Sequence, residues 1–285
     1  HIVRNFLGAT DCRVKLVADG RPERLHLLAK IFPAIRGVGD AEDIIGSSEI
    51  DAVVIATPVH THFGLAKRAL LQGKHVLIEK PMTSSVGEAD ELINLASQKG
   101  LTLMADHTFL YTGAVKKIKE IIDTSVIGSP LYFDSARINL GLFQPDINVL
   151  WDLAPHDISI LTYLIAEEPE SINATGISHT RNKIENIAYL TVNYRSDFIA
   201  HFTCSWSSPV KVRQTLIGGD KKMILYNDLE PSEKVRVYDT GYSHKTEEDK
   251  TRIMVDYRTG DVYIPKLSSR EALAGVAENG SSRWC

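Results

Sequence analysis

The sequence predicts two parts of different class: an α/β part on a parallel sheet, then an α+β part on a large, mostly antiparallel sheet. Three observations predict it. Short β-branched strands alternate with helices of about ten residues as far as Asp106. After that, one strongly apolar helix at 150–165 precedes a long strand-rich run at 171–263. Turn signals divide that run at Gly218-Gly219-Asp220, Asp239-Thr240-Gly241 and Thr259-Gly260-Asp261.

The elements follow in order. Residues 2–8 read as the latter part of a helix. Arg13 to Ala18 is a strand that Asp19-Gly20 ends, and Pro22 to Lys30 is a helix with proline at its start. Ala41 to Ile45 is a short helix, and Ile50 to Thr57 is a buried strand stopped by Pro58. Phe63 to Gln72 is a helix closed by Gly73. Val76-Leu77-Ile78 is a strand that ends on Glu79-Lys80-Pro81. A helix from Val86 to Gln98, capped by Gly100, leads to a last strand at 101–105. These alternations imply right-handed βαβ units. A helix at 114–123 and a strand at 130–137 open the second part. Strands at 187–194, 198–206, 213–217, 223–226 and 234–238 fill most of the remainder.

The predicted domains are 1–108, a dinucleotide-binding Rossmann domain without its first strand and Gly-rich loop, and 109–285, an α+β domain for the substrate. Both ends read as those of a fragment. The chain opens at His1 inside a helix and closes on Ser281-Ser282-Arg283-Trp284-Cys285 without a final element.

Composition narrows the function. At 285 residues the chain can hold two cores. A net charge of −4 argues against a nucleic-acid partner. Cys12, Cys204 and Cys285 form neither a disulfide framework nor a metal-ligand spacing. No apolar run approaches membrane-spanning length, and no signal peptide is visible, so a cytoplasmic protein without membrane contact is expected.

Lys80 is the first candidate. Pro81 disfavours the helical region for the residue before it, so the strand ends with Lys80 held at its carboxyl edge. In an open parallel sheet that edge is where ligands bind. Asp19 ends another strand, where the acid that bonds the cofactor ribose belongs. A carboxylate there favours NAD over NADP, whereas Arg21 could pair with a 2′-phosphate, so NADP stays open. Thr57, Pro58 and His62 follow a third strand and line the same edge. His60 and His62 have no carboxylate or cysteine cluster beside them, so no metal site is expected.

The sharpest signal in the second part is Asp152-Leu153-Ala154-Pro155-His156. A spacing of four puts Asp152 and His156 on one helical face. Pro155 fits if the helix starts near Leu150 or Trp151, because first-turn amides have no intrahelical partner. A carboxylate beside an imidazole suits His156 to general-base work, with Asp152 orienting it. Lys80 would then stabilise a developing alkoxide.

At this point the sequence resembles the Gfo/Idh/MocA oxidoreductases (glucose–fructose oxidoreductase, inositol 2-dehydrogenase, rhizopine catabolism). The residues that carry the likeness are Ala56-Thr57-Pro58 with His62, Gly73 through Pro81 ending in Glu79-Lys80-Pro81, and Asp152 with His156. The resemblance implies catalytic Lys80, Asp152 and His156. It also implies an NAD or NADP site that includes Glu79, Lys80, Pro81 and His107, and a homo-dimer or homo-tetramer formed through the second sheet. Ala154-Pro155 stands where the family usually has glycine, and His107 where it often has Asn. The stretches His107 to Tyr111 and Trp151 to His156 are similar to members of nucleotide-sugar and surface-polysaccharide metabolism. A sugar, nucleotide sugar or polyol is therefore the implied substrate. Two other readings stay open: a cofactor-binding regulator without catalysis, and a reductase of a non-sugar carbonyl or imine.

Overall fold

A computed structural model describes residues 2–141, 143–243, 256–268, 272 and 274–277. It divides into two compact units, residues 1–108 with 270–285, and residues 109–269.

The first unit begins with α1 (Ile2–Leu7), β1 (Leu16–Ala18), α2 (Pro22–Ile31), β2 (Arg36–Val38) and α3 (Glu42–Ile45). It continues through β3 (Ala52–Ile55), α4 (Val59–Leu71), β4 (His75–Glu79), α5 (Val86–Lys99) and β5 (Leu103–Asp106). All strand pairs are parallel, in two pieces: β1 beside β2, and β3-β4-β5 in that order. Among the described residues no strand joins the two pieces. Apolar faces of α4 (Ala66, Ala69, Leu70) and α5 (Leu92, Ala96) close over Val76 and Ile78 of β4. Burial of this kind stabilises by about 25 cal/mol per Å² of apolar surface.

Local chemistry sets the helix ends. The Ser85 hydroxyl accepts from the Glu88 amide and starts α5. Gly100, at φ 64, ends it in the left-handed conformation glycine tolerates best. Helix α4 starts at Val59, four residues before the sequence-based expectation of Phe63. Pro58, extended at ψ 144, occupies the capping position rather than merely stopping the strand. Strand β2 was not foreseen. It has three residues, two of them exposed, and a central Gly37.

The tail also differs from expectation. Ala274–Ala277 is helical, with Val276 and Ala277 buried. The final Ser281 to Cys285 lies outside the described residues, as do His1 and the 244–255 part of the strand-rich stretch.

A 3₁₀ turn at Thr108–Tyr111 leads into the second unit. There follow α6 (Gly113–Asp123), β6 (Pro130–Ile138), α7 (Val149–Leu164), β7 (Ser171–Ile177), β8 (Ile187–Asn193) and β9 (Ile199–Ser205). Then come β10 (Val212–Gly219), β11 (Met223–Asn227), β12 (Val235–Tyr238), β13 (Gly241–Ser243), β14 (Asp256–Arg258) and β15 (Val262–Tyr263). Eight strands form one sheet in the order β15-β12-β11-β10-β6-β9-β8-β7. Every pairing in it is antiparallel except β6 with β9.

Alternation gives the sheet two faces. Phe133, Leu190, Val192, Ala200, Phe202 and Ile217 point to one, in a core shared with Val115 and Ile118 of α6 and Ile160 and Leu161 of α7. On the other face Tyr189, Ile199 and Leu216 are exposed. Among the described residues no helix is long and apolar enough to cross a membrane.

Candidate functional site

In the first unit, the residues singled out from sequence collect at the carboxyl ends of the parallel strands. His62 is 1% exposed, in the first turn of α4. One ring nitrogen lies 2.9 Å from the Pro81 carbonyl and the other 2.8 Å from the Thr57 carbonyl. The ring thus ties the loop after β3 to the loop after β4. Lys80 is half-buried beside a cis peptide to Pro81, and its amide donates to the Glu79 carboxylate at 3.1 Å.

Glu79 has a neighbour that sequence reading missed. Strands β4 and β5 pair in register so that Glu79 stands opposite Asp106. The two acids therefore sit side by side at the carboxyl edge of the sheet. Burial, then the Asp106 charge, pushes Glu79 above the usual carboxylate range; the Lys80 amide and charge offset part of this. Burial likewise pushes Asp106 up, against the Thr108 hydroxyl that donates to it at 2.8 Å. Strand register was the signal that could have found the pair: the last residues of two adjacent parallel strands are both acids.

His107 follows immediately. Burial pushes its imidazole down from the ordinary histidine range, with the Asp106 charge opposing. Its Nδ1 is buried without a hydrogen-bond partner among the described residues. A buried polar atom in that condition costs free energy unless a ligand completes it.

Asp19 ends β1 and accepts from the Arg21 amide at 3.0 Å, from the Arg21 guanidinium at 3.3 Å and from Arg24 at 3.4 Å. Burial is the largest single influence and pushes this carboxyl up, but the Arg21 and Arg24 contacts together outweigh it and hold it below its ordinary value. Arg21 is therefore engaged with Asp19. A groove of about 420 Å³ at the start of α4 is lined by Thr57, Pro58, His60, Thr61, Gly64, Leu65 and Arg68. Arg68 was not foreseen.

The second unit holds the other set. Asn148 caps α7, its side chain accepting from the Trp151 amide at 2.9 Å. The helix begins at Val149, so Pro155 falls in its second turn, not the first turn that the sequence suggested. Pro155 therefore cannot donate to the Trp151 carbonyl, at a position where an ordinary residue would. Asp152 remains in the first turn, where the helix dipole favours its charge.

Three further residues surround the pair. The Trp206 indole donates to the Asp152 carboxylate at 3.2 Å. The Phe109 ring meets the His156 ring edge-on, centroids 4.9 Å apart. The Arg137 guanidinium lies over Phe109 at 4.8 Å and is paired in bidentate fashion with Asp157, at 2.8 and 2.6 Å. Arg137 and Asp157 side chains are only 5% and 4% exposed. Asp157 follows His156 directly, so this buried pair fixes how α7 is rotated against β6. Burial pushes the nearby Cys204 thiol up to about 12, which removes it as a nucleophile at neutral pH.

The residues fit a nicotinamide cofactor in several respects: a parallel-sheet carboxyl edge, a helix opening right after it, an acid at the end of β1 and the uncompleted His107 nitrogen. Among the described residues no Gly-rich turn contributes.

Comparison with known proteins points the same way. Residues 4–107 match the family described as "Oxidoreductase family, NAD-binding Rossmann fold", and residues 115–225 match the "GFO/IDH/MocA C-terminal domain". The chain is similar to a UDP-N-acetylglucosamine 3-dehydrogenase of Acidithiobacillus ferrooxidans, 35% identical over 195 residues, covering 67% of this chain and 57% of that protein. It is 29% identical over 176 residues to an inositol 2-dehydrogenase of Mycolicibacterium gilvum, covering 60% and 50%. The solved structure of the Acidithiobacillus enzyme superposes with a TM-score of 0.76 at 25% identity, covering 99% of this chain and 83% of that one. The matched region spans about half the length of these curated relatives.

Proposed function

We propose, from the premise that this chain belongs to the Gfo/Idh/MocA oxidoreductase family, that it is an NAD(P)-dependent dehydrogenase of a sugar, nucleotide-sugar or polyol hydroxyl. The observation that carries this reading is the α7 constellation: Asp152 held by Trp206, and His156 set against Phe109. In this reading His156 removes the hydroxyl proton, and Asp152 orients its ring. Lys80 stabilises the alkoxide that develops as the proton leaves. Bound nicotinamide supplies the hydride acceptor. Glu79, Pro81, Thr57, Pro58 and His62 shape its binding edge, and His107 offers Nδ1 to it. Asp19 takes the ribose hydroxyls and favours NAD, because its charge repels a 2′-phosphate.

The likeness to a nucleotide-sugar dehydrogenase supports a nucleotide sugar as the first substrate to try. A homo-oligomer is part of the proposal, supported by the exposed Tyr189, Ile199 and Leu216 on the open sheet face. The cytoplasm is the proposed compartment, in keeping with the three scattered cysteines. The test is a panel of nucleotide sugars and polyols with NAD and NADP, read at the absorbance of reduced nicotinamide. Turnover of one class is expected, and no turnover with any of them overturns the reading.

A further inference from the structure

Among the described residues strand β7 is the edge of the eight-stranded sheet, and all seven of its residues are exposed. An edge strand presents a row of unpaired backbone donors and acceptors, and proteins normally protect such an edge with charge, proline or brevity. The opposite edge, β15, is only two residues long. Strand β7 has none of these protections. Its sequence, Ser-Ile-Asn-Ala-Thr-Gly-Ile, contains no charge and no proline, and Ile172 and Ile177 are 62% and 54% exposed.

The flanks of β7 say what it would pair with. Glu167, Glu168 and Glu170 precede it; Arg181 and Lys183 follow it, beyond His179. Glu170 lies 3.9 Å from Arg195, and Glu167 accepts from the Ser196 amide and hydroxyl at 3.1 and 2.7 Å, neither of which neutralises its charge, so Glu167 and Glu168 carry the acidic excess. Antiparallel pairing of two such strands brings the acidic start of each beside the basic end of the other. The edge is complementary to itself.

We propose that β7 pairs antiparallel with β7 of a second copy, about a two-fold axis through Ala174. The axis position follows from the faces. Opposed residues must share a face of the joined sheet, so the offset must be even, and Ala174 is the middle of the strand. Asn173 then opposes Thr175 of the second copy, Ile172 opposes Gly176, and Glu167 and Glu168 come beside Arg181. The contact joins two sheets edge to edge, separate from the open face invoked for oligomerisation above, and it does not depend on the catalytic reading.

The test uses the whole chain with Cys12 and Cys285 changed to Ser; Cys204 is 1% exposed and stays. Directly opposed Cα atoms lie about 4.5–5.5 Å apart in an antiparallel pair, within disulfide reach. Ala174→Cys is expected to form a covalent dimer under mild oxidation. Ile172→Cys, whose own copy would be roughly 13 Å away along the strand, is expected not to. Equal cross-linking of the two, or none at Ala174, overturns the proposal. Independently, Arg181→Glu is expected to weaken self-association by at least about tenfold in sedimentation equilibrium. Adding Glu167→Arg, which stands opposite Arg181 in this register, is expected to restore it. Loss of association without rescue, or no loss at all, counts against the pairing.

Discussion

The Trp206 indole N–H is directed at the Asp152 carboxylate, 3.2 Å away across 54 residues of sequence. This bond determines where the acid of the α7 pair points. Trp206→Phe keeps a ring in a site that is 2% exposed but removes the donor. A hydrogen bond to a charged group contributes about 1.5–3 kcal/mol. Turnover is expected to fall by at least about tenfold, with cofactor affinity unchanged in a fluorescence titration. Equal loss of both would mean that the tryptophan serves packing alone.

His156→Ala is expected to lower turnover by about 10²–10⁴-fold, the usual range for a lost general base. Cofactor binding is expected to survive it. Lys80→Ala is expected to abolish turnover as well, and to weaken cofactor binding. Unchanged turnover in His156→Ala removes the base assignment.

Arg137 and Asp157 predict a stability pattern. Arg137→Met leaves the Asp157 charge buried and is expected to destabilise the second unit by about 3–5 kcal/mol in urea unfolding. Arg137→Met with Asp157→Leu is expected to recover most of that. Failure to recover would mean that guanidinium stacking on Phe109, not the ion pair, holds α7 in place.

Glu79 and Asp106 predict a pH dependence. Their folded-state pKa values are raised, so the native state holds a proton that the unfolded chain releases first. The stabilisation is full below the unfolded carboxylate pKa and is lost as pH rises through the raised values. Asp106→Asn still accepts from Thr108 and can donate to Glu79. It is expected to raise the melting temperature at pH 8 relative to the parent and to change it little near pH 4. His107 has the opposite sense: its lowered pKa makes stability fall as pH drops below the ordinary histidine range.

Asp19→Ala is expected to move coenzyme preference toward NADP, because it releases Arg21 and Arg24 from their 3.3 and 3.4 Å contacts. The ratio of kcat/KM for the two coenzymes reads it directly.

The fold class was legible because periodicity is local. The helix at 114–123 buries Ala114, Val115, Ile118 and Ile121, a spacing visible in the bare sequence. Strand β2 was not legible, since three residues centred on glycine carry no period. Lys80, Asp152 and His156 stood out through their neighbours in sequence. Their supports did not: Trp206, Arg137 and Phe109 reach α7 only through the register of β6 and β9 and the turn after β5. The start of α7 was misplaced by one or two residues because Asn148, a capping side chain, outweighs the proline as the start signal.

His62 has a consequence beyond tying two loops together. The Pro81 and Thr57 carbonyls, 2.9 and 2.8 Å from its two nitrogens, can only accept. A ring with both N–H groups donates to both at once, whereas a ring with a single N–H leaves one carbonyl facing a lone pair. The join between the two loops is therefore complete only while both ring nitrogens carry hydrogen.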